Sequence, residues 1–270
     1  LQFYIYPNNR MKKIHTYILT FVSLLTLVFA NPIDDKASDI VINGAPISSI
    51  NKNNQYLIKK IYAIHYRYDT KTAEYVVERP TKDKITGPAK RKDDFRPDPE
   101  VPEKHQSLLS DYAGNPFDRG HLVPAGDSTL NADTMSESFF LTNMVPQVPN
   151  NNRGIWKQLE TCVRHWVVDN GKDLYVISGT IYNKDYKTIG DNKVGIPDYL
   201  WKIVIDAKSN KSITFLFPNA PIPVEDLPEY IVSIEDIEQK TGLDFNPKLP
   251  KDKQKLLESV KGNTKDWPLD

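Results

Sequence analysis

Short runs of β-branched and aromatic residues constrain this chain more than any other feature. Tyr62-Ala63-Ile64-His65-Tyr66-Arg67-Tyr68 and Glu74-Tyr75-Val76-Val77-Glu78 flank the polar turn Asp69-Thr70-Lys71-Thr72, which predicts a β-hairpin. Residues 174–178, 200–205 and 212–217 predict further strands. A long helical pattern is set against them. Ile155, Leu159, Cys162, Val163 and Trp166 recur as one apolar face, and Asn150-Asn151-Asn152 precede them as a capping run. Shorter helices are expected over 128–138, capped by Ser128, and over 231–241, ended by Gly242. No repeat and no Gly/Ser linker divides the pattern, so it reads as one α+β domain over residues 58–255.

The flanks read differently. Residues 1–10 precede Met11 and are expected to be upstream sequence outside the fold. Met11-Lys12-Lys13 followed by the apolar stretch 18–29 and Val28-Phe29-Ala30 predicts a signal peptide over 11–30, cut after Ala30. The alternative is a retained N-terminal anchor. Cleavage would make the protein secreted or periplasmic, with no stable membrane association. It would also delete Arg10, Lys12 and Lys13 and no acid. That leaves 32 basic against 35 acidic groups, a formal charge of −3. Bulk charge therefore argues for no polyanionic partner, and any such role needs a local basic cluster. Residues 31–57 are expected to be a poorly ordered Asn-rich arm, and 256–270 a charged tail. The single cysteine, Cys162, excludes a disulfide framework and a multi-cysteine zinc site.

The stretch Phe117-Asp118-Arg119-Gly120-His121-Leu122-Val123 carries the chemistry. On a strand, Arg119 and His121 share a face, with Gly120 between them leaving room for close approach. A guanidinium beside an imidazole lowers the imidazole's pKa and binds phosphate oxygens. An isolated His–Arg pair is more often structural, and this one gains weight only with the next segment. A second strand is expected at Phe139-Phe140-Leu141-Thr142-Asn143-Met144. Beyond it, Asn152, Trp156, Glu160 and Arg164 lie four residues apart and would form one row along the helix. An amide oxygen and a carboxylate are hard donors that suit a largely hydrated Mg²⁺. Two plainer readings stand beside this one: Asn152 as a helix cap, and Glu160–Arg164 as a surface ion pair.

These motifs together resemble the DNA/RNA non-specific endonucleases, the family that includes mitochondrial endonuclease G. The resemblance rests on Asp118-Arg119-Gly120-His121, on the turn Asn143-Met144-Val145-Pro146-Gln147, and on the helix with Asn152, Trp156, Leu159 and Glu160. It covers roughly residues 62–247 and implies a ββα-metal (His-Me finger) core with a mainly antiparallel central sheet flanked by helices. It further implies His121 as general base, Asn152 as the one direct protein ligand of Mg²⁺ (Mn²⁺ can substitute), and Glu160 as holder of a metal-bound water. Arg119 and Arg164 become cations that offset charge on the phosphate. Asp118 and Gly120 support the strand, and Trp156 supports the helix. The activity implied is hydrolysis of DNA and RNA to 5′-phosphate products. An unperturbed imidazole base would lose rate below about pH 6.5.

Lys82, Lys84, Lys90, Arg91, Lys92 and Arg96 form the dense basic stretch, diluted by Asp83, Asp93 and Asp94. Lys90, Arg91 and Arg96 are the expected backbone contacts, which would make cutting nearly indifferent to sequence. A solvated charged loop is the plain alternative. At the level of the whole chain, the alternative is an inactive exported relative that binds nucleic acid without cutting it. Family likeness also allows a homodimer, with Trp166 or Trp201 either at its interface or in the core.

Overall fold

A computed structural model describes residues 31–49 and 53–269. The expected signal peptide and upstream residues lie outside the described residues. Among the described residues eleven strands form: β1 Asn54–Ile58, β2 Tyr62–Arg67, β3 Thr72–Glu78, β4 Asp118–His121, β5 Met144–Gln147 and β6 Leu174–Ile181 come first. They are followed by β7 Thr188–Ile189, β8 Val194–Gly195, β9 Tyr199–Asp206, β10 Lys211–Pro218 and β11 Ile231–Val232. A seven-stranded sheet runs in the order β1-β2-β3-β6-β9-β10-β11, with every neighbouring pair antiparallel. The pairs β4–β5 and β7–β8 stand apart from it.

Side-chain alternation gives this sheet two buried faces, because a strand points successive residues to opposite sides. Ile64, Tyr66, Val76, Val176, Leu200 and Val204 face the helix Lys157–Val168, whose Leu159, Cys162, Val163 and Trp166 complete one core. Ala63, Tyr75, Val77, Ile177, Trp201, Ile203 and Ile205 face the other way, onto Ile234 and Ile237 of the helix Ile234–Thr241. Helices on both faces of an antiparallel sheet make the α+β architecture that the sequence predicts.

The flanks differ from expectation. Of the expected loose arm 31–57, the described residues 31–49 are packed: Ile33, Ala37, Ile40 and Ala45 are buried in the second core, and Ala45 N–H donates to Asp34 (2.7 Å). The charged tail is likewise anchored. Trp267 is buried against Trp166 (ring centroids 4.9 Å), and the Trp166 indole donates to the Pro268 carbonyl (2.8 Å). In both segments a few apolar residues outweigh a polar average. Trp166 and Trp201 sit in the core. The expected 128–138 helix is shorter, Ala132–Glu137, because the Asn131 side chain, and not Ser128, accepts from Asp133 N–H and Thr134 N–H (3.0 Å each). The late helix starts at Ile234 behind Ser233, leaving 231–232 as a strand. Among the described residues no helix is long and apolar enough to cross a membrane.

Candidate active site

β4 carries the Asp118-Arg119-Gly120-His121 motif and pairs with β5 in the register Asp118↔Gln147, Arg119↔Pro146, Gly120↔Val145 and His121↔Met144. The second strand is therefore 144–147, and not the expected 139–144. Phe139 and Phe140 lead into a short 3-10 turn, Leu141–Asn143. The ladder ends at Asn143, a fully buried residue whose carbonyl still accepts from Leu122 N–H (3.0 Å) but whose side chain takes over from backbone beyond that bond. Its Oδ1 accepts from Val123 N–H (2.9 Å), and its Nδ2 donates to the carbonyls of Val123 and Ser138 (2.9 Å each). Pro146 sits in β5 without cost to the ladder: its carbonyl faces away from β4, onto Asn219 Nδ2 (3.0 Å), and the N–H that a proline lacks would have pointed to that same edge.

Gln147 then hands the chain to the helix. Its Nε2 donates to Asn151 Oδ1 (2.7 Å), and Asn151 Nδ2 donates to the carbonyls of Pro218 (3.0 Å) and Ala220 (3.2 Å). The first turn, Asn151–Trp156, is a wide π-type turn broken at Gly154 (φ −105°, ψ −108°) before the α-helix Lys157–Val168 begins. π-type irregularities of this kind recur at functional sites. The break cancels the simple four-residue row. Asn152, Glu160 and Arg164 reach one cavity, while Trp156 turns inward, buried, and donates from its indole to the His121 carbonyl (3.1 Å).

Asn152 is not a cap. Its Nδ2 donates to Asp118 Oδ2 (2.9 Å), and Arg153 grips the same carboxylate through Nε (2.8 Å) and Nη2 (2.6 Å). With the NH₂ end committed to Asp118, the amide presents its oxygen. The ion-pair reading of Glu160 and Arg164 also fails. Arg164 pairs with the buried Asp127 (3.3 Å), and Glu160 closes no ion pair among the described residues. Burial pushes the Glu160 carboxyl up to about 7, against the pull of the nearby Lys202 and Arg164 cations.

The His121 ring is held edge-to-face by Phe139 (centroids 5.0 Å) and Phe95 (5.7 Å). Its Nε2 is buried without a hydrogen-bond partner among the described residues, which leaves Nδ1 as the nitrogen that can meet a reactant in the cavity. Burial first, and then the Arg91 and Arg119 cations, push its pKa down to about 3. The imidazole is thus neutral throughout the physiological range, and further from protonation than an exposed histidine. Arg119 lies over the Phe95 ring (4.2 Å) and Arg91 over Phe139 (5.1 Å). Aromatic rings therefore seat both cations at the cavity wall.

His121, Arg119, Arg91, Asn152, Arg153, Lys157, Glu160 and Arg164 all line this cavity, of about 720 Å³. A second cleft of about 410 Å³, lined by Phe95, Tyr112, Phe117 and Asp118, shares Arg91, Arg119, Asn152 and Arg153 with it. Two of the expected contacts are absent from both. Arg96 turns away, donating to the carbonyls of Asp94 (3.0 Å) and Ser136 (2.9 Å) beneath the Phe140 ring, and Lys90 is exposed outside the cavity. The loop around them is fixed by Asp98, a buried carboxylate that pairs with Lys59 (2.8 Å) and accepts from Thr142 Oγ1 (2.8 Å). Arg91 thus contributes alone from the three.

The family model for DNA/RNA non-specific endonuclease matches residues 37–252. This chain belongs to that family. The mitochondrial nuclease EXOG of Xenopus laevis is 34% identical over 71% of this chain and 58% of the relative. A nuclease of Nostoc sp. is 33% identical over 82% of this chain and 84% of the relative, and human mitochondrial endonuclease G is 32% identical over 71% and 69%. The chain therefore spans less than two thirds of EXOG and most of the Nostoc nuclease. A solved EndoG/EndoGI complex shares the fold, with TM-score 0.70, 24% identity, and coverage of 80% of this chain and 94% of that one.

Within the family frame, the donor set can be tested for a divalent ion. Among the described residues no group of three or more His, Cys, Asp or Glu could hold a metal. An ion in this cavity would rest directly on one presented amide oxygen, with water completing the shell and one carboxylate holding one of those waters. That set fits magnesium and not zinc. Arg153 and Lys157 are cavity residues that pattern reading assigned no role. Their only sequence signal is a basic residue beside Asn152 and another three residues before Glu160.

Proposed function

We propose that the protein is an exported, Mg²⁺-dependent endonuclease that hydrolyses phosphodiester bonds in DNA and RNA and leaves 5′-phosphate ends. The observation that carries this reading is the shared cavity of a neutral, orphaned imidazole, His121, and an amide, Asn152, whose oxygen is presented by Asp118. Membership in the nuclease family supports the activity, and the basic, apolar and small-residue pattern of 11–30 supports export.

His121 Nδ1 accepts a proton from a water as that water's oxygen bonds to phosphorus. The bond from phosphorus to the 3′-oxygen breaks in line with the attack, so the phosphate stays on the 5′ side. Arg119, free of any carboxylate among the described residues, offsets the charge gathering on the non-bridging oxygens. Arg164 and Arg91 act from the same wall, each tempered by an aspartate. A bound Mg²⁺ would supply Lewis-acid stabilisation of the departing oxygen. Asn152 would hold it directly and Glu160 through water. Since these cations would meet the phosphate backbone, cutting should be largely indifferent to sequence and should weaken with salt.

Digestion of plasmid and RNA across a Mg²⁺ and Mn²⁺ series, with EDTA controls and end-group labelling, tests the reading. The expected result is metal-dependent cutting with labelled 5′-phosphates. Full activity in EDTA, or a gel shift without shortening under every metal, refutes it.

A further inference from the structure

Lys202 occupies the middle of β9 on the face that packs under the site helix, where its same-face neighbours Leu200 and Val204 belong to the core. It is 1% exposed. An ammonium is costly to bury, and a methionine of the same length would fill this space without that cost. The charge is not spent on an ion pair: Glu78, Asp127 and Glu160 are near enough to be felt, yet none closes one with Lys202 among the described residues.

The ammonium is instead spent on both halves of the site. It donates to Ser178 Oγ on β6 (2.6 Å), which anchors it to the sheet. From there it reaches the carbonyl of Leu122 (3.4 Å), the residue after His121, and lies over the Trp156 indole (4.6 Å to the centroid). The indole in turn donates to the His121 carbonyl (3.1 Å). Lys202, the His121 strand and the Trp156 turn thus close a triangle of contacts. Two of its corners carry the general base and the segment between Asn152 and Glu160.

We propose that Lys202 is a positioning residue for cleavage, fixing from the sheet the separation between the His121 strand and the helix that carries Asn152 and Glu160. The proposal rests on the nuclease reading, and its test separates the two. Wild type, Lys202→Met and Ser178→Ala are compared on one labelled oligonucleotide at saturating Mg²⁺. Hydrogen exchange at the Trp156 indole N–H is followed alongside. In Lys202→Met, kcat should fall at least tenfold with KM within twofold, and the indole should exchange at least tenfold faster. Ser178→Ala keeps the lysine but removes its anchor, and should lose kcat several-fold in the same pattern. Wild-type kcat and exchange in folded Lys202→Met overturn the proposal, and so does a rise in KM that matches the loss of kcat. If Lys202→Met does not fold, wild-type kcat in Ser178→Ala overturns it. Absence of cleavage by the wild type overturns the nuclease reading instead.

Discussion

Gly120→Ala puts the site's framework under a defined load. A Cβ at this position would lie 2.0 Å from Gln147 Oε1, 2.7 Å from Gln147 Cβ and 3.0 Å from its Cδ. Gln147 is fully buried and cannot swing into solvent. Overpacking of this kind costs ~1–3 kcal/mol. Displacing the amide also breaks its 2.7 Å bond to Asn151 and strands buried polar atoms, for a further ~1–3 kcal/mol. The sum, roughly 2–6 kcal/mol, corresponds to a melting temperature lower by roughly 4–24 °C in a domain of this size. Asn151 immediately precedes Asn152, the proposed metal ligand, so a shift near 1 Å would carry a rate loss of ~10²-fold. Circular-dichroism melting and single-turnover cleavage read the two effects separately. Gln147→Ala in the same chain should return part of the lost stability by removing the Oε1 and Cδ contacts, though the Cβ contact stays, while leaving the rate low because Asn151 still lacks its partner. A Gly120→Ala protein that melts and cuts like wild type would refute the claim that β4 is held to the site helix through Gln147.

Other outcomes follow from the same geometry. His121→Ala should lose ~10²–10⁴-fold in rate while oligonucleotide binding, followed by anisotropy, survives; a parallel loss of affinity would contradict its role as base. Because burial and the Arg91 and Arg119 cations lower the His121 pKa, the acid limb of the rate should fall below the pH of an ordinary imidazole, and Arg91→Ala should move it back upward. The same shift has a stability sign. Between about pH 6.5 and about 3 the unfolded chain binds a proton that folded His121 refuses, so wild type should lose up to ~1.4 kcal/mol per pH unit relative to His121→Ala as pH falls. Denaturant melts across that range measure the difference. Asp118→Ala frees the Asn152 amide and unpairs Arg153; Mn²⁺ binding by calorimetry should weaken at least tenfold, and unchanged affinity would show that Asp118 does not orient the ligand.

The linear chain shows the strands of the central sheet and the amphipathic site helix because both are set by periodic burial, which survives in the order of residues. The Asp118-Arg119-Gly120-His121 motif and Asn152, Glu160 and Arg164 stand out in the sequence through likeness to a known family; their spacing alone left plainer readings open, and it is the fold that brings His121, Arg119, Asn152, Glu160 and Arg164 to one cavity. Tertiary structure decided the rest. The β4–β5 ladder ends at Asn143, where a side chain takes over from backbone, and the break at Gly154 turned Trp156 away from its supposed row. Arg96 and Arg91 are equivalent in a charged loop until Ser136 and Asp94 claim the first and leave the second at the cavity. The fall of the His121 pKa and the reach of Lys202 depend on what burial removes from water and on groups distant in the chain. Periodicity records which side of an element is dry; it does not record which polar atoms meet there.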